Sequence, residues 1–146
     1  MSKRVNISEI ESVGYKAMLG LEAYLQNISL TPIQKELVKI RASQINGCAY
    51  CLDMHTKDAL KYGETTQRIF VLEGWRETHL FSNDEKVLLA MTEEITQISK
   101  KGLSDKTYEK AQKYFTENQI AQIIMAIVTI NAWNRIAVST HLQIPN

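Results

Sequence analysis

Apolar residues recur along the chain at intervals of three and four, the spacing of helices with one buried stripe, and strand-like alternation is hard to find. From Ser8 to Tyr24, Ile10, Val13, Met18 and Leu21 fall at helical spacing. Thr31-Pro32-Ile33-Gln34 opens the next helix: a capping threonine, proline at the first helical position, and glutamine to close a capping box. That helix should run to about Ile45 and stop at Asn46-Gly47, a pair suited to left-handed backbone. Another begins around Cys48 and closes on Tyr62-Gly63, after which Thr65 or Thr66 caps a short helix carrying Ile69, Phe70 and Leu72.

Ser82-Asn83-Asp84-Glu85 and Thr116-Glu117-Asn118-Gln119 are two further capping boxes. The first opens a helix with Val87, Leu88, Met91 and Ile95, and the second a long helix to about Thr140. Between them, after a break at Gly102, Ser104 or Asp105 caps a shorter helix through about Phe115. The pattern predicts an all-α helical bundle with short connections, one domain over 1–146.

Composition excludes several classes. With 45% hydrophobic and 23% charged residues, two prolines and six glycines, the chain is neither disordered nor of low complexity. A formal net charge of +1, with acidic and basic residues interleaved, gives no reason to expect nucleic acid or an anionic membrane as partner. The longest apolar stretch, around Ile120 to Val138, is broken by Gln122, Thr129, Asn131 and Arg135 and falls short of the ~20 residues that span a bilayer. The start Met1-Ser2-Lys3-Arg4-Val5-Asn6 lacks a secretory apolar core, so a cytoplasmic location is expected. In a reducing compartment, two cysteines three residues apart point to redox chemistry or metal binding.

At ~100° per residue, Cys48, Cys51, Leu52, His55, Ala59 and Tyr62 share one helix face, with Asp53, Lys57 and Lys61 opposite. Cys51 lies within reach of both Cys48 and His55. On the preceding helix, Ile33, Leu37, Ile40 and Gln44 form the inward face, and Lys35 and Lys39 are expected to point away. Glu36 sits in the middle of that inward face, where a carboxylate needs a partner, and His55 is the obvious one. A thiolate is the reactive form of cysteine. The helix N-terminus favours it at Cys48 and the imidazole at Cys51, so spacing alone leaves the attacking sulfur open. Glu36 would orient the imidazole or take a proton through it.

The bland readings compete: an ordinary buried cysteine pair, a structural histidine, or a glutamate paired with Arg41. Structural zinc needs a fourth ligand, and His79 and His141, expected at the surface, are the remaining histidines. No metal or cofactor is therefore expected. A thioredoxin fold is disfavoured because a capped helix, and not a strand, precedes the cysteines. Asn131 and Asn134 fall on the apolar face of the last helix, where buried amides need partners; bonding to neighbouring helices is the favoured reading and lining the substrate pocket the alternative. Trp75 and Met91 belong to the core or an interface, and Trp133 and Arg135 are candidates for a subunit interface.

Over Thr31 to Gly63 the sequence resembles the AhpD-like alkylhydroperoxidase branch of the carboxymuconolactone decarboxylase superfamily. Its signature is glutamate, eleven residues, Cys-x-x-Cys, three residues and histidine. Here that reads Glu36, Leu37 to Gly47, Cys48-Ala49-Tyr50-Cys51, Leu52-Asp53-Met54 and His55. The resemblance implies an AhpD-like helical bundle that assembles as a homo-oligomer, a trimer or hexamer. It also implies a peroxidase or disulfide-reductase cycle acting on a small-molecule peroxide, with a dithiol or partner redox protein as reductant. In that cycle Cys51, activated through His55 and Glu36, is oxidised to a sulfenic acid, and Cys48 donates a proton and then resolves it as a disulfide. Tyr50 stands where the best-characterised members carry a second histidine, so a two-histidine relay is not implied. Lactone decarboxylation is disfavoured by the cysteine pair; a non-catalytic redox sensor or interaction module is the alternative.

Overall fold

Capping residues decide where most of the helices start. The protein, seen in a computed structural model that describes residues 2 and 4–145, folds as α1 (Ile7–Ile10), α2 (Ser12–Gln26), α3 (Pro32–Asn46), α4 (Ala49–Lys61), α5 (Thr66–Phe70), a 3-10 helix (Leu72–Glu77), α6 (Asn83–Thr96), α7 (Asp105–Ala111) and α8 (Glu117–Thr140). No strand occurs among the described residues. The three capping boxes form at Thr31, Ser82 and Thr116, each with its side chain and the third helical residue bonded reciprocally. Thr65 and Ser104 cap α5 and α7. Gly47 ends α3 at φ 67°, ψ 34°, in the left-handed region where a side chain is disfavoured.

Two stretches differ from the sequence-based expectation. The helix expected over Ser8 to Tyr24 is broken at Glu11 into α1 and α2, and Ile10 and Val13 are 65% and 80% exposed. Only the end of α2 reaches the core, through Leu25, followed by Ile28 and Leu30. The helix expected to continue to Phe115 stops at Ala111. A tight turn follows, with the Phe115 N–H on the Ala111 carbonyl, and it delivers the Phe115 ring to the core just before the cap of α8.

At the centre lies α3, which packs on α4, α6 and α8. Val38 and Ala42 join Leu88, Met91, Ile123 and Ile127 in one apolar cluster. Leu37 and Ile40 join Ala59, Leu72, Trp75 and Leu89 in another. By length and composition α8 would suit a bilayer span, but Ile120, Ile123, Ile127 and Ile130 lie in the bundle core.

A helix buried on so many sides must pair its polar groups internally. At the C-terminal end of α3, Asn46 Nδ2 donates to Asn131 Oδ1 and Asn134 Oδ1, both at 2.9 Å, and Asn134 Nδ2 donates to Ser43 Oγ at 3.0 Å. Asn131 also donates to Thr96 Oγ1. The two asparagines of α8 thus bond to neighbouring helices, as their place on its apolar face suggested. They fix the turn from which α4 departs.

Candidate active site

Three consecutive features build the site: the middle of α3, the left-handed turn at Gly47, and the first two turns of α4. Gly47 turns the chain so that Cys48 becomes the cap of α4, its backbone extended at φ −88°, ψ 93° and its Sγ accepting the Cys51 N–H at 3.3 Å. Cys48 and Cys51 are joined in a disulfide, with Cα atoms 5.3 Å apart. Both are almost fully buried, at 1% and 2% exposure, against Ala137 of α8 and the half-buried Tyr50.

One turn beyond Cys51, His55 points at α3. Its Nδ1 lies 2.9 Å from Glu36 Oε2, and both residues are buried. Against an ionised Glu36 that nitrogen carries the proton and donates, which leaves Nε2 to take up or release one. The other Glu36 oxygen, Oε1, accepts from Lys39 Nζ at 3.2 Å. The structure therefore brings together Cys48 with Cys51 and His55 with Glu36, as the sequence pattern anticipated.

Lys39 corrects that pattern. Expected to point away, it is 8% exposed and folded over Glu36. The reason is local: three residues on, it is Glu36's neighbour on the helix surface, and a long flexible stem can carry its ammonium to a buried carboxylate. The i,i+3 spacing was the signal that would have found it. Arg41, the alternative partner for Glu36, is committed elsewhere. Its Nε donates to Glu93 Oε1 at 2.9 Å, alongside Trp75 Nε1, while Arg76 Nη1 holds Oε2 at 2.6 Å. Burial works to raise the Glu93 carboxyl, but hydrogen bonds from Trp75, Arg76 and Arg41 prevail and hold it below the usual carboxylate range.

A cavity of about 370 Å³ reaches Cys51, His55, Glu36 and Lys39 together. Its outer walls are largely aromatic and apolar: Tyr15, Tyr50, Met54, Tyr62, Trp133 and Ile136 among them. These linings come from α2, α4 and α8, too far apart in sequence for spacing to assemble. Trp133, a candidate for a subunit interface, stands in this wall, its Nε1 donating to Glu22 Oε1 at 2.9 Å and its ring meeting Tyr15 edge-on. Asp58 brings a third ligand-type atom, a carboxylate oxygen, within 4.8 Å of the Glu36 oxygen and the His55 nitrogen. A cation there would compete with the Lys39 ammonium for Glu36, so the cluster suits proton handling better than metal binding.

The other histidines divide. His79 is exposed, as expected. His141 is not a plain surface residue: it is half-buried, with its Nδ1 enclosed and without a hydrogen-bond partner. It ends α8 in left-handed backbone at φ 54°, ψ 43°.

Comparison with known proteins places this geometry. The sequence profile of the carboxymuconolactone decarboxylase family matches residues 14–94, more than half of the chain. The uncharacterized protein YdfG of Bacillus subtilis is 43% identical over 139 residues, 95% of each chain. A crystal structure from Agrobacterium tumefaciens, of a protein of unknown function considered a candidate AhpD antioxidant-defence protein, has a TM-score of 0.95 at 36% identity over 99% of both chains. The debrominase Bmp8 has the same fold, with a TM-score of 0.79 at 17% identity over 88% of this chain and 69% of its own. The fold therefore carries more than one activity.

Proposed function

The chain belongs to the carboxymuconolactone decarboxylase family, in its AhpD-like branch, and from that premise we propose that it is a thiol-dependent peroxidase. The observation that carries this reading is a cysteine pair able to form a disulfide, one member of which, Cys51, lines a cavity shared with a histidine held by a buried carboxylate.

In the reduced protein, His55 accepts the Cys51 proton at Nε2 while Glu36 stabilises the resulting imidazolium through Nδ1. The Cys51 thiolate attacks the outer oxygen of an organic hydroperoxide. The O–O bond breaks, the sulfur becomes a sulfenic acid, and the departing alkoxide takes the Cys48 proton to leave as an alcohol. The Cys48 thiolate then attacks the sulfenic sulfur, forming the disulfide, and the displaced hydroxide takes the proton from His55 to leave as water. An external dithiol returns the pair to thiols and is itself oxidised to a disulfide. The aromatic walls formed by Tyr15, Tyr62 and Trp133 suit a substrate with an apolar body. The exposure of Ile10 and Val13 is in keeping with assembly into a homo-oligomer.

The test is turnover of cumene hydroperoxide with dithiothreitol. Cys51→Ser should fall to background, while Cys48→Ser should retain a single oxidation that a sulfenic-acid reagent traps on Cys51. Undiminished turnover in Cys51→Ser would overturn the reading.

A further inference from the structure

Two separate cavities meet the cysteine pair. The one described above reaches Cys51 and not Cys48. A second, of about 300 Å³, reaches Cys48 and not Cys51, and is walled by Ala137, Val138, His141 and Leu142. Tyr50, between the two cysteines in sequence, lines both, as do Ala137 and Leu142, and the three together form the partition.

The two spaces differ in charge. Around Cys51 stand Glu22, Glu36 and Asp58 against the single ammonium of Lys39. None of the described residues that wall the Cys48 cavity is acidic. A neutral hydroperoxide is indifferent to that contrast, but a thiolate is not, because like charges repel it from the Cys51 side. The Cys48 cavity also holds His141, the non-glycine residue with positive φ among the described residues, whose Nδ1 has no partner within the protein. The His141 side chain lines the space through which a thiol would reach Cys48.

We infer that the Cys48 cavity is the docking site of the thiol reductant, distinct from the peroxide cavity, and that reduction begins by attack on the Cys48 sulfur. Resting on the reading of Cys48–Cys51 as a cycling pair, it gives the cycle two entrances. In thiol–disulfide exchange the attacking sulfur approaches opposite the leaving sulfur. A thiolate arriving through this cavity bonds to Cys48 Sγ, the Cys48–Cys51 bond breaks, and the electron pair leaves on Cys51. The proton that the reductant's thiol gave up on becoming a thiolate returns to that sulfur, relayed by the imidazole of His55. The second thiol of the reductant attacks the mixed disulfide, closes its own disulfide and frees Cys48.

Exchange with a monothiol tests this without any peroxide, so a protein that turns over no hydroperoxide still gives an answer. The oxidised protein is pulsed with 2-mercaptoethanol, quenched in acid and alkylated with N-ethylmaleimide, and the peptide holding both cysteines is fragmented in the mass spectrometer. Mercaptoethanol on Cys48 with maleimide on Cys51 is the expected pattern; the reverse pattern overturns the inference. Stopped-flow half-reactions give the second measurement. Val138→Trp, at a half-exposed position, fills the Cys48 cavity and should slow reduction by dithiothreitol at least tenfold, with oxidation by cumene hydroperoxide within twofold of the parent. His141→Asn keeps a residue that tolerates left-handed backbone and should slow the same half-reaction alone. Unchanged reduction in Val138→Trp, or equal slowing of both half-reactions, would overturn the assignment.

Discussion

Glu93 and Glu36 are both carboxylates packed into the middle of the bundle, and they are held in opposite ways. Glu93 receives three fixed donors, from Arg41, Arg76 and Trp75, two of them guanidinium groups that never lose their charge. It ties α3, α6 and the 3-10 helix together and has a single protonation state at neutral pH. Glu36 has an ammonium on one oxygen and a titratable imidazole on the other, beside a cavity and a reactive pair. One carboxylate is saturated and serves as a rivet; the other is left with a partner that can change charge. Burial alone does not mark a functional acid. The pKa range of its partners does.

The sharpest way to break this contrast is to remove each charge in turn. Glu36→Gln should lower peroxide turnover by about 10²–10⁴-fold, the range for loss of general acid–base assistance, with a smaller loss of stability than the matching change at Glu93. Equal turnover in Glu36→Gln and the parent would mean that the imidazole works unaided.

Glu93→Gln should do the reverse, costing about 3 kcal/mol of stability in urea denaturation because two arginines lose their countercharge and one of them meets an NH2 group in place of an oxygen, with turnover per folded molecule retained. The pH dependence follows from the depressed Glu93 carboxyl. Its contribution is complete above the unfolded carboxylate value of about 4.3 and is lost as pH falls through the lower folded value. The gap between parent and Glu93→Gln should therefore close on acidification. A gap that widened in acid would show that the rivet does not act through its charge.

The smallest expected effect sharpens the comparison at the end of α3. Asn46→Ala removes two hydrogen bonds to α8 and should cost about 1–2 kcal/mol, read from the same denaturation curves. Neither carboxylate touches Asn46, so a loss as large as that of Glu93→Gln would place the main fastening of α3 at its turn.

Much of this contrast was legible in the sequence. Glu36 stood out because a carboxylate interrupts the apolar face of Leu37 and Ile40, and His55 because it shares a face with Cys51. Helix starts were readable wherever a side chain caps the first turn, as at Thr31, Ser82 and Thr116. What periodicity missed was long reach and long range. Lys39 starts on one side of α3 and ends on another, because the lysine stem spans what the helical wheel separates. Ile10 and Val13 keep helical spacing and yet face outward, since spacing reports a stripe and not what covers it. The cavity walls at Tyr15, Tyr62 and Trp133 meet only through tertiary packing.

The left-handed turn at Gly47 has one more consequence. It folds α4 back on α3 so that residues nineteen apart in sequence, Glu36 and His55, meet across the hairpin. Each arm works as a ruler whose graduation is one residue: 1.5 Å of rise and 100° of rotation. A single inserted or deleted residue in either arm would swing the carboxylate or the imidazole off the other, however well the helix itself survived. Evolution can repaint this hairpin residue by residue, but cannot change its length.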